Sequence, residues 1–445
     1  MMLSLARVAH VLGCVPLALP GDVGGWSIDS RSLEAGDLFI ALRGGNHDGH
    51  AFVNDILARG AVAAVVDRQM PGPTLCVPDT QLALEQLGRQ ARLDWGGTVI
   101  GVTGSAGKTT AKDNIAALLA VDHAVGKTVG NLNNHIGVPL SILRLPAAAK
   151  IAVLEMGMNH AGEIRHLCSI ARPEIGVITN VGHAHLENFA DGIDGVAAAK
   201  RELIEALPAP GLAVLNYDDR RVRMFPHAHT LTYGLQEGAQ VRGEEVELQA
   251  GGSAFSVEGT RFQTSHAGRH AILNILAAIA VARELGTATP KLVDAVRGLT
   301  IGTMRGERLT HNGVVLINDA YNSNPAAARA MLDVLRATPG RRRIAVLGEM
   351  LELGPLAEPL HRDVGEYAAK SGIDVLIGIR GAARHLVDGA TAAGLNAGAA
   401  YFFPDAVAAG QALRSIAQSG DVVLFKGSRG TRVENALSAF VEDVS

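Results

Sequence analysis

One glycine-rich segment of the chain combines the residue types that bind phosphate groups. It follows an apolar run at residues 98–103 and reads Gly104-Ser105-Ala106-Gly107-Lys108-Thr109-Thr110. Phosphate oxygens require converging N–H donors and a cation, and a glycine turn at a helix N-terminus supplies both when a lysine follows it. We expect Lys108 to reach the β- and γ-phosphates of ATP and Thr109 to bind Mg²⁺. The segment therefore predicts an ATP site.

This loop is a variant of the usual phosphate-binding pattern. The strict G-x-x-x-x-G-K-[ST] spacing requires a glycine where Val102 stands, and the glycines here are Gly101, Gly104 and Gly107. The ATP site is supported instead by order along the chain, in which a buried-strand pattern, a glycine turn, Lys-Thr-Thr and a helical pattern over residues 108–120 follow one another.

Two further polar side chains follow predicted strands. Glu155 ends an apolar run at residues 151–154, and His185 comes shortly after another run at residues 175–179. Ligands of parallel sheets bind outside the carboxyl ends of the strands, so a carboxylate at that edge suits Mg²⁺. The alternatives stay open at this point, since Glu155 could neighbour a helix cap and a lone histidine such as His185 is often structural.

The remaining candidates are weak when taken one at a time. Lys200 lies in a predicted helix over residues 196–207 among small apolar neighbours, a position typical of a solvated lysine. Asn274 and the segments 304–308 and 318–325 lie near predicted ends of helices or strands. Polar side chains without a structural role gather around ligands at such ends.

Composition sets limits on the class of protein. The 445 residues are 48% hydrophobic, carry a net charge of -4 and include only 4% aromatic residues, which fits a globular α/β protein. The chain lacks the basic surplus of a nucleic-acid binder, and no run is long enough to insert into a membrane. We therefore expect small-molecule substrates, with no nucleic acid and no membrane insertion.

The N-terminus and the cysteines favour a cytoplasmic location. Residues 11–14 look like a lipoprotein cleavage box, but Arg7 and His10 interrupt the apolar run before it, so an amphipathic helix from Ser4 to Leu12 is favoured over export. The cysteines lie far apart without C-x-x-C spacing, which argues against a zinc site or a disulfide framework; they are Cys14, Cys76 and Cys168.

The pattern of strands and helices predicts an α/β fold of three domains. These are a small N-terminal α/β domain over residues 1–96, a central P-loop ATPase-like domain over residues 97–311 and a Rossmann-like domain over residues 312–445. In the last, strands near 314–317, 343–347, 375–379 and 422–425 alternate with helices, which predicts a mostly parallel sheet. No G-x-G-x-x-G follows its first strand, so a dinucleotide is not supported there.

Taken in order, these segments resemble the Mur ligases, the ATP-dependent amide-forming enzymes of peptidoglycan synthesis. Two of the matching segments, residues 130–139 and 318–325, are the most specific. They resemble the members that add D-alanyl-D-alanine to UDP-N-acetylmuramoyl-tripeptide, and the Asp-Asn-Pro-Arg motif of the diaminopimelate-adding members does not occur. The other matches are the phosphate loop, Asp29-Ser30-Arg31 and Asp48-Gly49-His50.

The resemblance implies a role for each domain and for many residues. In chain order the domains would bind the UDP-sugar peptide, ATP and D-alanyl-D-alanine, in a cytoplasmic enzyme that we expect to be a monomer. Lys200 would be carbamylated and would form a Mg²⁺ site with Thr109, Glu155 and His185, beside the catalytic Lys108. The resemblance also implies ATP contacts from Asn274, Arg305 and Asp319, and substrate contacts from Ser30, Arg31, Asn133, Asn134, Tyr321, Asn322, Asn324, Lys426, Ser428 and Arg429.

One departure and two alternatives accompany this interpretation. Ala271 follows His270 where related ligases commonly carry His-Asn, so one polar contact near the nucleotide is in question. A folylpolyglutamate synthase or another amino-acid ligase of the superfamily would keep the phosphate loop and Lys200 but should lack the patterns at residues 29–31 and 131–134. A P-loop ATPase without ligase activity would need the loop alone.

Overall fold

The computed structural model describes residues 3–17, 21–45, 47–249 and 251–442. Three largely parallel sheets follow one another along the chain, each covered by helices, and a small antiparallel sheet is inserted before the third. This confirms the predicted α/β fold of three domains. No helix within the described ranges has both the length and the hydropathy to span a membrane.

The N-terminal domain is built on a four-stranded parallel sheet. Its strands, in spatial as well as chain order, are β1 Gly25–Ser27, β2 Asp37–Ile40, β3 Ala63–Val66 and β4 Thr74–Cys76. Its helices are α1 Leu5–Leu12, α2 Val53–Ala58 and α3 Thr80–Trp95. Helix α1 confirms the predicted amphipathic helix, and Ser4 caps it by accepting from the Arg7 amide.

The central domain has seven strands that all run parallel. They are β5 Thr98–Thr103, β6 Val125–Lys127, β7 Ile151–Glu155, β8 Ile175–Ile178, β9 Leu212–Asn216, β10 Thr230–Gly234 and β11 Val241–Arg242. The helices are α4 Lys108–Leu119, α5 Gly137–Leu143, α6 Glu163–Ala171, α7 Gly192–Glu205, α8 Arg269–Glu284 and α9 Val293–Arg297. The spatial order β11-β10-β9-β8-β5-β7-β6 places β5 between β7, which ends at Glu155, and β8, which is followed by the segment that contains His185.

Helices on both faces explain why these strands read as continuous apolar runs. Ile100 and Val102 of β5 belong to the hydrophobic cluster that contains residues of α4 and α8. Val99 faces the other way and belongs to the cluster that contains residues of α5, α6 and α7. With both faces buried, only the strand ends are left for polar side chains.

Three antiparallel strands between the central sheet and α8 were not predicted. They are β12 Glu244–Gln249, β13 Gly252–Val257 and β14 Thr260–Thr264. The register of β12 against β13 shifts between Glu244 and Glu247, as at a β-bulge. A bulge interrupts the two-residue alternation by which a half-buried strand is identified in a sequence.

The C-terminal domain has the predicted Rossmann-like alternation. Its strands are β15 Glu307–His311, β16 Val314–Asp319, β17 Arg343–Gly348, β18 Val375–Ile379, β19 Ala400–Phe403 and β20 Val422–Lys426, in the spatial order β15-β16-β20-β17-β18-β19 with only β15 antiparallel. Its helices are α10 Pro325–Ala337, α11 Ala357–Lys370, α12 Arg384–Ala392, α13 Ala406–Ile416 and α14 Glu434–Val441. The sequence did not reveal β15, β19 or α12.

The N-terminal sheet is fastened to the central sheet through α3. A Cβ built at Gly88 of α3 would lie 2.5 Å from the Pro139 Cβ in α5, so the two helices touch at the backbone. At the end of α3, the Arg92 guanidinium pairs with Glu174 at 2.5 Å and also donates to the Ala171 carbonyl at 2.8 Å. Trp95 adds a hydrogen bond to the Ala149 carbonyl. These contacts join the two domains along the C-terminal half of α3.

A substitution at Gly365 in α11 tests how closely α11 and α12 pack in the C-terminal domain. A Cβ at this position would lie 2.0 Å from the Leu386 carbonyl oxygen of α12, and backbone cannot yield as a flexible side chain can. We expect Gly365→Ala to destabilise the domain by about 1–3 kcal/mol and to lower its melting temperature. Gly398→Ala is the matched control, because its Cβ would meet only the Asn396 side chain at 3.4 Å. Equal melting of both variants would contradict the close α11–α12 contact.

Candidate active site

The glycine-rich loop is held in shape by the strand end beside it. The Ala106 amide donates to the Asn180 Oδ1 at 2.9 Å, and Asn180 Nδ2 returns a hydrogen bond to the Ala106 carbonyl at 2.9 Å. Thr179 also donates to that carbonyl, at 2.6 Å. Both side chains follow β8 directly, so the sheet fixes the loop before any ligand binds.

Gly107 leaves the start of α4 open. It is the N-cap residue, with φ of +79°, and no side chain caps the helix. The amides of the first helical turn have no carbonyl partner within the helix, which is the condition for binding an anion there. A Cβ at Gly107 would lie 2.7 Å from the Asn274 amide oxygen of α8, so no other residue fits without moving Asn274.

Lys108 stands in a crowded position at the cavity wall. Its Nζ donates to the Gly104 carbonyl at 2.8 Å. Burial lowers the pKa of Lys108 and the neighbouring Arg305 lowers it further, while the charges of Glu155 and Glu352 oppose the shift. Two positive groups thus converge where the phosphates of ATP are expected.

Glu155 presents an unsatisfied carboxylate oxygen to the same place. Its side chain is 1% exposed at the end of β7, and Oε1 accepts from Asn133 Nδ2 at 2.8 Å. The other oxygen, Oε2, is buried and has no hydrogen-bond partner within the described chain. A buried carboxylate oxygen without a donor is suited to a cation or to the donor groups of a ligand.

A cleft of about 650 Å³ unites these groups with the C-terminal domain. It contains most residues that the sequence singled out. From the central domain these are Ser105, Ala106, Gly107, Lys108, Thr109, Thr110, Asn133, Asn134, Glu155, His185 and Asn274. From the segment after α9 and the C-terminal domain they are Arg305, Asp319, Tyr321, Asn322, Asn324, Lys426 and Arg429.

Arg305 bridges the two domains within the cleft. Its Nη2 donates to the Thr109 hydroxyl at 3.1 Å, and its guanidinium carbon lies 4.1 Å from the centre of the Tyr321 ring. Tyr321 itself follows β16 of the C-terminal sheet. The arginine therefore connects the phosphate loop with the strand ends of the other domain.

Asp319 and Lys426 form the polar floor on the C-terminal side. They end the neighbouring strands β16 and β20 at paired positions, and Lys426 Nζ donates to the Asp319 carboxylate at 2.5 Å and to the Asn322 carbonyl at 2.9 Å. Lys426 is only 3% exposed. Since the lysine satisfies one Asp319 oxygen, the other is available to a hydroxyl group of a ligand.

Lys200 is buried and not solvated, contrary to what its local sequence suggests. It is 1% exposed on α7, it lies behind the cleft and not on its wall, and no described group pairs with it. Burial, together with the charge of Lys108, lowers the pKa of Lys200 well below its usual value. The structure thus favours a neutral amine beside the phosphate loop.

The four residues expected to bind Mg²⁺ are only partly assembled. Thr109, Glu155 and His185 border the cleft, whereas Lys200 does not. Within the described residues, no three histidine, cysteine or carboxylate side chains gather as a metal cluster. Magnesium commonly uses one or two carboxylates together with substrate phosphates, so this donor set fits a cation that arrives with ATP.

Some predicted substrate residues lie outside the cleft or have a structural partner. Ser30 and Arg31 belong to the N-terminal domain, and Arg31, with 87% of its side chain exposed, pairs with Asp29 at 2.6 Å. This pairing lowers the pKa of the Asp29 carboxyl to about 2. Ser428 is buried and accepts from the Leu351 amide at 2.9 Å. Their roles in binding stay predictions.

Two asparagines of the cleft also shape the backbone. The Asn134 side-chain oxygen accepts from the Gly137 amide at 2.9 Å, where α5 begins. Asn324 caps α10 by accepting from the Ala327 amide at 2.9 Å. Each retains its NH₂ group, which could face a ligand while the oxygen holds the helix.

Sequence reasoning missed three residues that shape the site. Thr179 and Asn180 could have been found, because they stand at the end of β8 just as Glu155 ends β7. Glu352 could not, because nothing in its local sequence shows that it contacts His185 across the domain boundary.

Family comparisons cover most of the chain. Residues 22–81 match the Mur ligase family, catalytic domain; residues 102–282 match the Mur ligase middle domain; and residues 304–429 match the Mur ligase, glutamate ligase domain. The chain is 35% identical over 436 residues to the UDP-N-acetylmuramoyl-tripeptide--D-alanyl-D-alanine ligase of Bacillus subtilis, which covers 94% of this chain and 93% of that relative.

Solved structures of MurF ligases superpose on this chain over nearly its whole length. A crystal structure of MurF from Acinetobacter baumannii superposes with a TM-score of 0.90 at 30% identity, covering 100% of this chain and 99% of the other. The crystal structure of the MurF ligase from Thermotoga maritima in complex with ADP gives a TM-score of 0.83 at 31% identity, covering 94% and 97%.

Replacing Lys108 tests whether the glycine-rich loop binds the phosphates of ATP. Without its ammonium, the charge on a transferring phosphoryl group loses its nearest stabilising cation, so we expect Lys108→Ala to slow phosphate release from ATP roughly 100- to 1,000-fold. Lys127→Ala is the control, because Lys127 is 45% exposed and pairs with Asp113 away from the cleft. Unchanged turnover in Lys108→Ala, measured by phosphate release, would remove the loop from the reaction.

Proposed function

Because the chain belongs to the Mur ligase family, we propose that it uses ATP to join D-alanyl-D-alanine to UDP-N-acetylmuramoyl-tripeptide. The observation that carries this proposal is the shared cleft, in which the phosphate loop of one domain faces the strand ends of another. An ATPase without a second substrate would not need the polar groups at the ends of β16 and β20. The product would be the pentapeptide precursor of peptidoglycan.

ATP is required because an amide does not form spontaneously from a carboxylate and an amine in water. A carboxylate oxygen of the tripeptide would attack the γ-phosphorus, the bond to the bridging oxygen would break, and ADP would leave. Lys108 and the guanidinium of Arg305 would stabilise the charge that spreads over the phosphoryl oxygens. The open amides at the start of α4 would hold the remaining phosphates.

The second step would take place at the boundary between the domains. The amine of D-alanyl-D-alanine would attack the carbonyl carbon of the acyl phosphate, lose a proton and expel inorganic phosphate. Tyr321, Asn322 and Lys426 border the cleft on the side from which this amine would come. Water must be excluded there, since it would hydrolyse the acyl phosphate, and the contact of the two domains serves that purpose.

The donor groups for Mg²⁺ are those that the cleft leaves unsatisfied. Glu155 would bind through its free Oε2, with Thr109 and His185 beside it. When bound, Mg²⁺ would supply positive charge that neutralises the charge developing during phosphoryl transfer. Asn133 would keep the Glu155 carboxylate oriented through its hydrogen bond to Oε1.

We also propose that Lys200 is carbamylated. A neutral Nζ would attack carbon dioxide, form an N–C bond and release one proton, which leaves an anionic carbamate. Two observations support this reaction: Lys200 has no acidic partner within the described chain, and it lies next to the positive charge of Lys108. The carbamate would reach toward the cation site as an additional oxygen ligand and would balance the charge of Lys108.

Assignments to the N-terminal domain rest on resemblance. Ser30 and Arg31 would contact the UDP-sugar peptide, and the exposed Arg31 guanidinium suits a diphosphate. The boundaries at residues 96 and 311, the cytoplasmic location and the monomeric state stay predictions. Strand β15 Glu307–His311, which pairs with β16 in the C-terminal sheet, precedes the second of these boundaries.

Omitting one substrate at a time tests the ligase function. With ATP, D-alanyl-D-alanine and UDP-N-acetylmuramoyl-tripeptide carrying either diaminopimelate or lysine, we expect steady ADP formation and an amide product. Without D-alanyl-D-alanine the acyl phosphate has no acceptor, so ADP formation should stop after about one turnover. Rapid ADP formation from ATP alone would contradict the proposal.

The carbamate has a spectroscopic test that does not depend on turnover. After exchange into ¹³C-bicarbonate, the protein should show a carbamate carbonyl resonance by NMR, and Lys200→Ala should lack it. Lys150→Ala is the control, since this exposed lysine should leave the signal unchanged. An identical spectrum for wild type and Lys200→Ala would exclude the modification.

A further inference from the structure

One short loop of the C-terminal domain reaches across to the phosphate side of the cleft. It follows β17 and is anchored to its own domain at two successive amides. The Met350 amide donates to His361 Nε2 at 2.9 Å, and the Leu351 amide donates to Ser428 Oγ at 2.9 Å. Burial lowers the pKa of His361, which keeps that ring neutral and able to accept. The loop is thus fixed just before Glu352.

Glu352 meets His185 at the end of this loop. One carboxylate oxygen of Glu352 lies 2.5 Å from His185 Nδ1. The backbone adds a second link, because the Glu187 amide donates to the Glu352 carbonyl at 3.3 Å. Close packing continues at Gly354, where a Cβ would lie 3.1 Å from the Glu187 Cα. Side chains and backbone therefore meet in one interdomain contact.

Both residues of the pair adopt a backbone conformation that side chains rarely take. Glu352 has φ of +64° and His185 has φ of +59°. Residues in this left-handed region are held there by their surroundings and cluster at functional sites. Here the surroundings are the two anchored amides on one side and the turn after β8 on the other. Because each domain holds one of these two backbone conformations, the contact between Glu352 and His185 is built into the fold.

The contact limits how the His185 ring is presented. Nδ1 lies 2.5 Å from a Glu352 carboxylate oxygen although the two are not aligned as a hydrogen bond, and Nε2 is the other ring nitrogen of a side chain that borders the cleft. A carboxylate behind an imidazole orients the ring and makes its other nitrogen a better ligand. Glu352 also lies close enough to Lys108 for their charges to interact.

We propose that Glu352 is a positioning residue that orients His185 only when the C-terminal domain is docked on the central domain. Docking would then complete the phosphate side of the cleft, so that ATP chemistry begins when the domain expected to carry D-alanyl-D-alanine is in place. This inference rests on the proposed ligase function. It explains why a carboxylate of one domain stands beside the phosphate loop of another.

Three variants test the role of Glu352. Glu352→Ala removes the acceptor and should lower kcat of ligation roughly 10- to 100-fold through loss of orientation, with the Kd for ATP alone unchanged. Glu352→Gln keeps an acceptor oxygen and should recover most of the rate. Glu358→Ala is the matched control, since Glu358 is 58% exposed on α11, pairs with Arg362 and lies away from His185.

Small-angle scattering supplies a measurement independent of turnover. With a non-hydrolysable ATP analogue and UDP-N-acetylmuramoyl-tripeptide, wild type, Glu352→Gln and Glu352→Ala should show the same radius of gyration, so that the loss of rate in Glu352→Ala does not come from failed docking. Wild-type kinetics in Glu352→Ala, a larger radius of gyration in it than in wild type, or an equal loss of rate in Glu352→Gln would each overturn the proposal. If wild type itself forms no amide, the ligase function fails instead, and the two failures are thereby distinguished.

Discussion

The concentration of positive charge around the phosphate loop is the constraint on which the rest of the site depends. Lys108 and Arg305 lie near one another, beside the buried amine of Lys200, and the charges of Glu155 and Glu352 oppose that of Lys108. Such a site is unfavourable when empty and favourable when a polyanion fills it. The protein thereby uses part of its folding stability to prepare a binding site for triphosphate.

The position of that charge follows from the topology of two sheets. In the central sheet β5 lies between β7 and β8, so the loop after β5 is flanked by Glu155 on one side and by Thr179 and Asn180 on the other. In the C-terminal sheet the paired ends of β16 and β20 bring Asp319 and Lys426 together. The two carboxyl edges face one cleft, which is where parallel sheets bind ligands.

Local patterns in the sequence were sufficient for the loop, for the strands around it and for the α/β class. Each of these depends on neighbours along the chain, as with Gly107 and the helix that follows it. Features made by tertiary packing were not predictable in the same way. The burial of Lys200 depends on which face of α7 meets the sheet, β12 is obscured by its bulge and exposed glutamates, and the contact of Glu352 with His185 joins distant segments. The resemblance to a family supplied the expectation for Lys200, and packing supplied a physical reason for it.

The close seam between α3 and α5 has a consequence for the choice of substrate. Gly88 and Pro139 touch at the backbone, and Arg92 and Trp95 extend the seam, so the N-terminal and central domains keep a fixed separation. If the UDP-sugar peptide binds the N-terminal domain as proposed, the distance from its nucleotide to the γ-phosphate is set by the protein. The seam would then fix the span that the peptide has to cover between that nucleotide and the phosphoryl group.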